Sequence, residues 1–95
     1  MALFMLACFD KPHSLDLRMA TREAHLAYVR ENAAMVKLAG PLLDEAEAMA
    51  GSLFVLDCAD RAAAQAFNAA DPYQAAGLFG AVEIRGFKAT IGQLG

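Results

Sequence analysis

Residues 2–9, ALFMLACF, contain no polar side chain. The run is too short for a typical buried helix, and Phe4, Cys8 and Phe9 favour extended backbone, so it is read as the first strand. A strand that is apolar on both faces has to be covered on both faces. The chain can supply helices for one side. The other needs something else, because 95 residues make one domain, taken as residues 1–95, and such a chain buries only roughly 60 to 65 % of its unfolded surface. With 58 % hydrophobic residues and a mean hydropathy of +0.34, it has more apolar surface than one small core hides, and an oligomer is expected.

The remaining elements follow from punctuation and period. DKPHSLDLR is a loop in which Pro12 interrupts pairing and Ser14 or Asp16 can cap a helix. That helix is expected from about Leu15 to Leu38, with Leu26, Val29, Ala33 and Val36 forming one apolar stripe and Gly40-Pro41 stopping it. PLLDEAEAMAGS fits a short strand and a loop or an extra helical turn, and a short strand near Pro41 to Leu43 is favoured. GSLFVLDCA gives a central strand, since Leu53 to Leu56 form a compact β-prone run. Asp60 caps RAAAQAFNAA, whose Ala63, Ala66, Phe67 and Ala70 share a helical face, and this second helix ends at Asp71-Pro72. A last strand from about Leu78 to Lys88 puts Val82 and Ile84 on one face and Phe79, Glu83, Arg85 and Phe87 on the other. The order β-α-β-β-α-β predicts an α+β, ferredoxin-like sandwich: a four-stranded antiparallel sheet with two helices on one face. A second copy of the chain would cover the open face, giving a homodimer.

Several classes of function drop out. A net charge of −3 with eight scattered Lys and Arg residues gives no footprint for nucleic acid. No stretch reaches the roughly 18 apolar residues of a membrane span, and MALFMLACFD lacks a basic leader, so no membrane partner and a cytoplasmic location are expected. There is no CxxC, HExxH, GxGxxG or Walker-type loop, hence no expected metal or cofactor. Cys8 and Cys58 sit inside apolar runs and are expected to be buried, reduced and without chemistry, on neighbouring strands where the thiols could lie close.

Polar residues that break the pattern mark a candidate site. At about 100° per residue, Arg18 and His25 project within roughly 20° of Val36, so His25 borders the apolar stripe, with Arg22 one turn from Arg18. A purely structural account is open for these residues: snorkelling arginines and an edge histidine bonded to a carbonyl. Asp71 adds a second anomaly. It ends a helix at the negative end of the dipole, which is unfavourable unless a cation or donor compensates, and an imidazole would do so.

The motifs DKPHSLDLR, REAHLAYV, AGPLL, GSLFVLDCAD and AADPYQAAGLFGAVEIRGFK follow one another as in YCII-related (YciI-like) proteins, which the chain resembles over nearly its whole length. The resemblance implies a ferredoxin-like domain that pairs sheet to sheet into a dimeric α/β barrel. It also implies a His/Asp-centred pocket at His25 and Asp71, with some relatives associated with breakdown of aromatic compounds, including lyase-type loss of halide. The chain differs from the commoner pattern in its compact segment after Pro41 and in Gly86, where proline is frequent. The reading is therefore a small enzyme in which His25 is a general acid/base oriented by Asp71, acting in isomerase or lyase chemistry on a small organic or aromatic-derived metabolite. Arg22 would bind a substrate anion, Ser52 and Tyr73 would donate hydrogen bonds at the rim, and Gly40, Pro41 and Pro72 complete the binding set. The alternative is a non-catalytic dimer that binds the same metabolite or serves as an accessory protein.

Overall fold

The computed structural model describes residues 2–92. Its elements run β1 (Ala2–Asp10), α1 (Leu15–Glu31), β2 (Val36–Leu43), β3 (Met49–Cys58), α2 (Arg61–Ala70), α3 (Pro72–Ala75) and β4 (Phe79–Phe87). The four strands form one antiparallel sheet in the order β2-β3-β1-β4, with the helices on one face. The doubly apolar β1 is thus a central strand. Its Phe4, Leu6 and Cys8 join Phe54, Leu56 and Cys58 of β3 against Ala64, Phe67 and Tyr73 from the helices. Its other side carries Leu3, Met5, Ala7 and Phe9, opposite Asp57, Val55, Leu53 and Gly51 of β3. No helix covers that side, and Phe9, Leu38 and Phe87 remain 43 %, 48 % and 46 % exposed.

The register of β1 against β3 requires a glycine at one point. A Cβ at Gly51 would lie 2.4 Å from the Cys8 carbonyl oxygen, a contact that would force the two central strands apart. At the start of α2 the Asp60 side chain accepts from the Ala63 amide, as its position before the alanine run foretells.

Three sequence expectations are corrected. Helix α1 ends at Glu31, not near Leu38: Asn32 turns its side-chain amide back to the Tyr28 carbonyl, and its own carbonyl accepts from Met35 and Val36 in a tight turn. Val36 then pairs with Leu56 in β2, so Ala33 and Val36 continue the helical period only by coincidence. Gly40 and Pro41 consequently do not stop a helix. They lie within β2, an edge strand eight residues long, where proline's missing donor is tolerated. The hairpin to β3 is closed by Asp44, whose Oδ1 accepts from Ala46 and Ala48.

The third correction concerns β4. Phe9 pairs with Ala81 but Asp10 pairs with Phe79, so one extra residue, Gly80, is accommodated there. This bulge reverses the side-chain parity, and Phe79 packs in the helix-side core, edge-on to Tyr73, rather than on the open face.

Cys8 and Cys58 are both buried and free, on neighbouring strands, but they are not close. Cys8 stands opposite Ser52 while Cys58 stands opposite Ala2, which puts them at opposite ends of the ladder, about 20 Å apart at ~3.3 Å per residue. Burial, reinforced by the Asp71 charge, pushes the Cys8 thiol from 9.0 up to about 12. Three pH units make its thiolate about a thousand-fold scarcer than that of a free thiol at pH 8, and iodoacetamide should modify Cys8 slower by that factor, as followed by mass spectrometry. The unfolded thiol loses its proton at lower pH than the folded one, so its contribution to stability falls as pH rises above 9.0. Rapid modification of Cys8 in the folded protein would contradict this picture.

Candidate active site

Asp71 stands where α2 ends and α3 begins. Its extended backbone, φ −65° and ψ 129°, is the conformation that Pro72 imposes on the preceding residue. The short helix that follows was not apparent from the sequence, and it changes the electrostatics of the corner. Asp71 is the C-terminal cap of one helix and the N-terminal cap of the next, its Oδ1 accepting from the Tyr73 amide at 2.9 Å. The same oxygen lies 2.9 Å from His25 Nδ1. Both side chains are buried, with Asp71 fully so.

A carboxylate only accepts, so Nδ1 carries the proton of this bond and neutral His25 presents its lone pair at Nε2. Nε2 has no partner among the described residues, is not sealed from solvent, and belongs to a residue lining a cleft of about 70 Å³. The imidazole lies nearly parallel to the Tyr73 ring, centroids 4.0 Å apart at 17°. Phe54 closes another side at 5.9 Å.

Arg18 occupies the back of the cleft and is 2 % exposed. Its Nε donates to Asp10 Oδ2 at 2.7 Å and its Nη2 to Asp10 Oδ1 at 2.9 Å, a bidentate pair, and Nη2 also donates to Ser52 Oγ at 2.9 Å. Burial works against the charged guanidinium, but the Asp10 carboxylate outweighs it and holds Arg18 above its ordinary value. Its Cζ sits 4.5 Å from the centre of the Tyr73 ring. Burial raises the Tyr73 phenol, with Arg18 and Arg22 pulling the other way. Arg22 also lines the cleft, is exposed, and forms no ion pair among the described residues.

Of the residues singled out in the sequence, His25, Arg22, Gly40, Pro41, Ser52 and Tyr73 line this cleft, Asp71 stands behind His25, and Pro72 lies outside the lining. Ser52 and Tyr73 are buried beneath the cleft, not at its rim. Arg18, Leu26, Met49 and Phe54 are lining residues absent from the predicted set. Arg18 carried a usable signal: seven residues before His25, it falls about 20° from it around the helix.

The YCII-related domain profile matches residues 2–88. The chain belongs to the YCII-related family. Protein YciI of Escherichia coli O6:H1 is 34 % identical to this YCII-related chain over 94 residues, covering 90 % of it and 96 % of the relative. The Shigella flexneri Protein YciI matches equally. Among solved structures, the 5-chloro-2-hydroxyhydroquinone dehydrochlorinase TftG of Burkholderia phenoliruptrix AC1100, in complex with 2,5-dihydroxybenzoquinone, superposes with a TM-score of 0.84. It is 31 % identical, with 90 % of this chain and 93 % of TftG covered. An antibiotic biosynthesis monooxygenase superposes with a TM-score of 0.58 at 14 % identity, covering 96 % of this chain and 100 % of its own, a likeness of fold alone. Among the described residues of this YCII-related chain, no helix is long and apolar enough to cross a membrane.

Proposed function

We propose that this protein is a small enzyme performing acid/base chemistry of isomerase or lyase type on a compact, oxygenated, aromatic-derived metabolite, with His25 as the proton-transfer group. The observation that carries the reading is the committed geometry of one imidazole: Nδ1 held by a buried carboxylate, Nε2 open to a cleft that also presents a guanidinium. A histidine in that state accepts a proton at Nε2, and the Asp71 charge stabilises the imidazolium that results. The exposed Arg22, without an ion-pair partner among the described residues, is placed to bind the oxyanion that the same step creates. Met49, Phe54 and Leu26 supply apolar wall for a ring. The cleft is small, about 70 Å³, and a compact ring is the kind of ligand that suits it. The dehydrochlorinase likeness supports the same chemistry, since loss of a proton and chloride from a hydroxylated ring needs an acid/base group and no oxidant.

Two probes test this. In an NMR titration with 2,5-dihydroxybenzoquinone, the ring protons of His25 should shift while those of exposed His13 stay still. Chloride release from 5-chloro-2-hydroxyhydroquinone and from close analogues should then identify a compound that turns over. Binding at His25 with no turnover of any such compound would leave a non-catalytic binding or accessory protein. Absence of both binding and turnover would remove the proposal.

A further inference from the structure

We propose that Arg18 is a positioning residue, which, held by Asp10 and Ser52, fixes the Tyr73 ring and through it the plane of the His25 imidazole. The inference rests on the reading of His25 as the reacting group and adds the device that aims it.

Four elements meet at this guanidinium. Asp10 is the last residue of β1, Ser52 lies in β3, Tyr73 in α3, and Arg18 itself in α1. Three donated hydrogen bonds of 2.7 to 2.9 Å, two of them to one carboxylate, leave the planar fork a single orientation. The Tyr73 ring lies 4.5 Å from Arg18 Cζ and 4.0 Å from the imidazole. Arg18 and His25 are seven residues apart on α1, two turns and about 10 Å of rise. Despite that separation both side chains contact the one Tyr73 ring, which links the guanidinium to the imidazole. A ring in contact with so firmly held a guanidinium is restricted in position, and the imidazole stacked on it at 17° is kept in line between Asp71 and the cleft.

Stability alone gives a poor account of the pair. Desolvating two charges roughly cancels their attraction, and well-packed apolar residues of similar volume serve a core at least as well. What apolar residues cannot supply is a fixed plane with directional bonds to three other elements.

The test follows from that contrast. Arg18→Met alone strands a buried carboxylate and is a weak probe, so the informative protein is the double variant Asp10→Leu/Arg18→Met, with Arg18→Lys beside it to keep the charge and lose the fork. The stacked Tyr73 ring should place the carbon-bound ring protons of native His25 upfield of those of His13. Expected in both variants is a native-like melting temperature, loss of that upfield displacement, and, on any compound that the native enzyme turns over, about a hundred-fold lower turnover. The NMR signature needs no substrate, so it reports on Arg18 even if the enzymatic reading of the cleft fails. Retention of the upfield shift in the folded double variant would overturn the proposal. Failure of both variants to fold would do so too, by showing the pair to be a structural necessity.

Discussion

His25→Gln is expected to fold as the native chain does and to turn over substrate about 10² to 10⁴ times more slowly, the range general acid/base catalysis contributes. Glutamine is the informative replacement because it fills the site with a neutral polar side chain of similar length, where alanine would leave the fully buried Asp71 facing an apolar gap. It cannot take up a proton near neutral pH. Asp71→Asn should fall between the native enzyme and His25→Gln. One oxygen, Oδ1, accepts from both His25 and the Tyr73 amide, while Oδ2 has no partner among the described residues, so an asparagine can keep both bonds and the imidazole tautomer. What it removes is the charge that stabilises the imidazolium. Steady-state kinetics on the compound found to turn over, with the Nδ1–H proton resonance as a check on geometry, separates the two effects. Undiminished turnover in His25→Gln would exclude His25 as the proton-transfer group.

The partnership of His25 and Asp71 was legible because each residue breaks a local rule. A histidine interrupts a helix at a core position, and an acid stands before proline where a helix ends. Each rule violation asks for a partner, and each can satisfy the other. Val36, although in helical phase with His25, belongs to β2 and does not mark the buried face of α1. The seven-residue spacing between Arg18 and His25 places both on one face without it. The Asp10–Arg18 pair was less accessible, since nothing local distinguishes an aspartate closing a strand from a loop residue. Only the packing of α1 across the end of β1 shows why it faces inward. The end of α1 and the parity of β4 depart from the sequence pattern for a common reason. Periodicity counts residues, whereas an asparagine turn and a one-residue bulge change what the count means.

The uncovered sheet face leads to the other large expected effect: the native chain of 10.1 kDa is expected to sediment as a homodimer near 20 kDa at micromolar concentration (2 × 10.1 kDa), and Met5→Glu with Leu38→Glu is expected to convert it to monomer. Met5 lies on central β1 opposite Val55, and Leu38 pairs with Val55 from the other side, so the two substitutions fall in one patch of the face that bears no helix. Leu38 is 48 % exposed, and Phe9 and Phe87 on the same face are 43 % and 46 % exposed, so large apolar side chains share a face with no helix over it. Covering that area is worth about 25 cal/mol per Å², and a symmetric partner presents the same apolar strands in return. Symmetry also makes the test severe. In an isologous interface every substitution enters twice, so the double variant places four carboxylates in the contact and requires each to be desolvated without a cation. The fold of the single chain should survive, because these side chains point away from the core of Leu6, Cys8, Phe54 and Leu56. Sedimentation equilibrium on both proteins, with circular dichroism to confirm folding, decides the matter. A native chain that is monomeric at micromolar concentration, or a folded variant that keeps the dimer mass, would show that the face is covered in some other way.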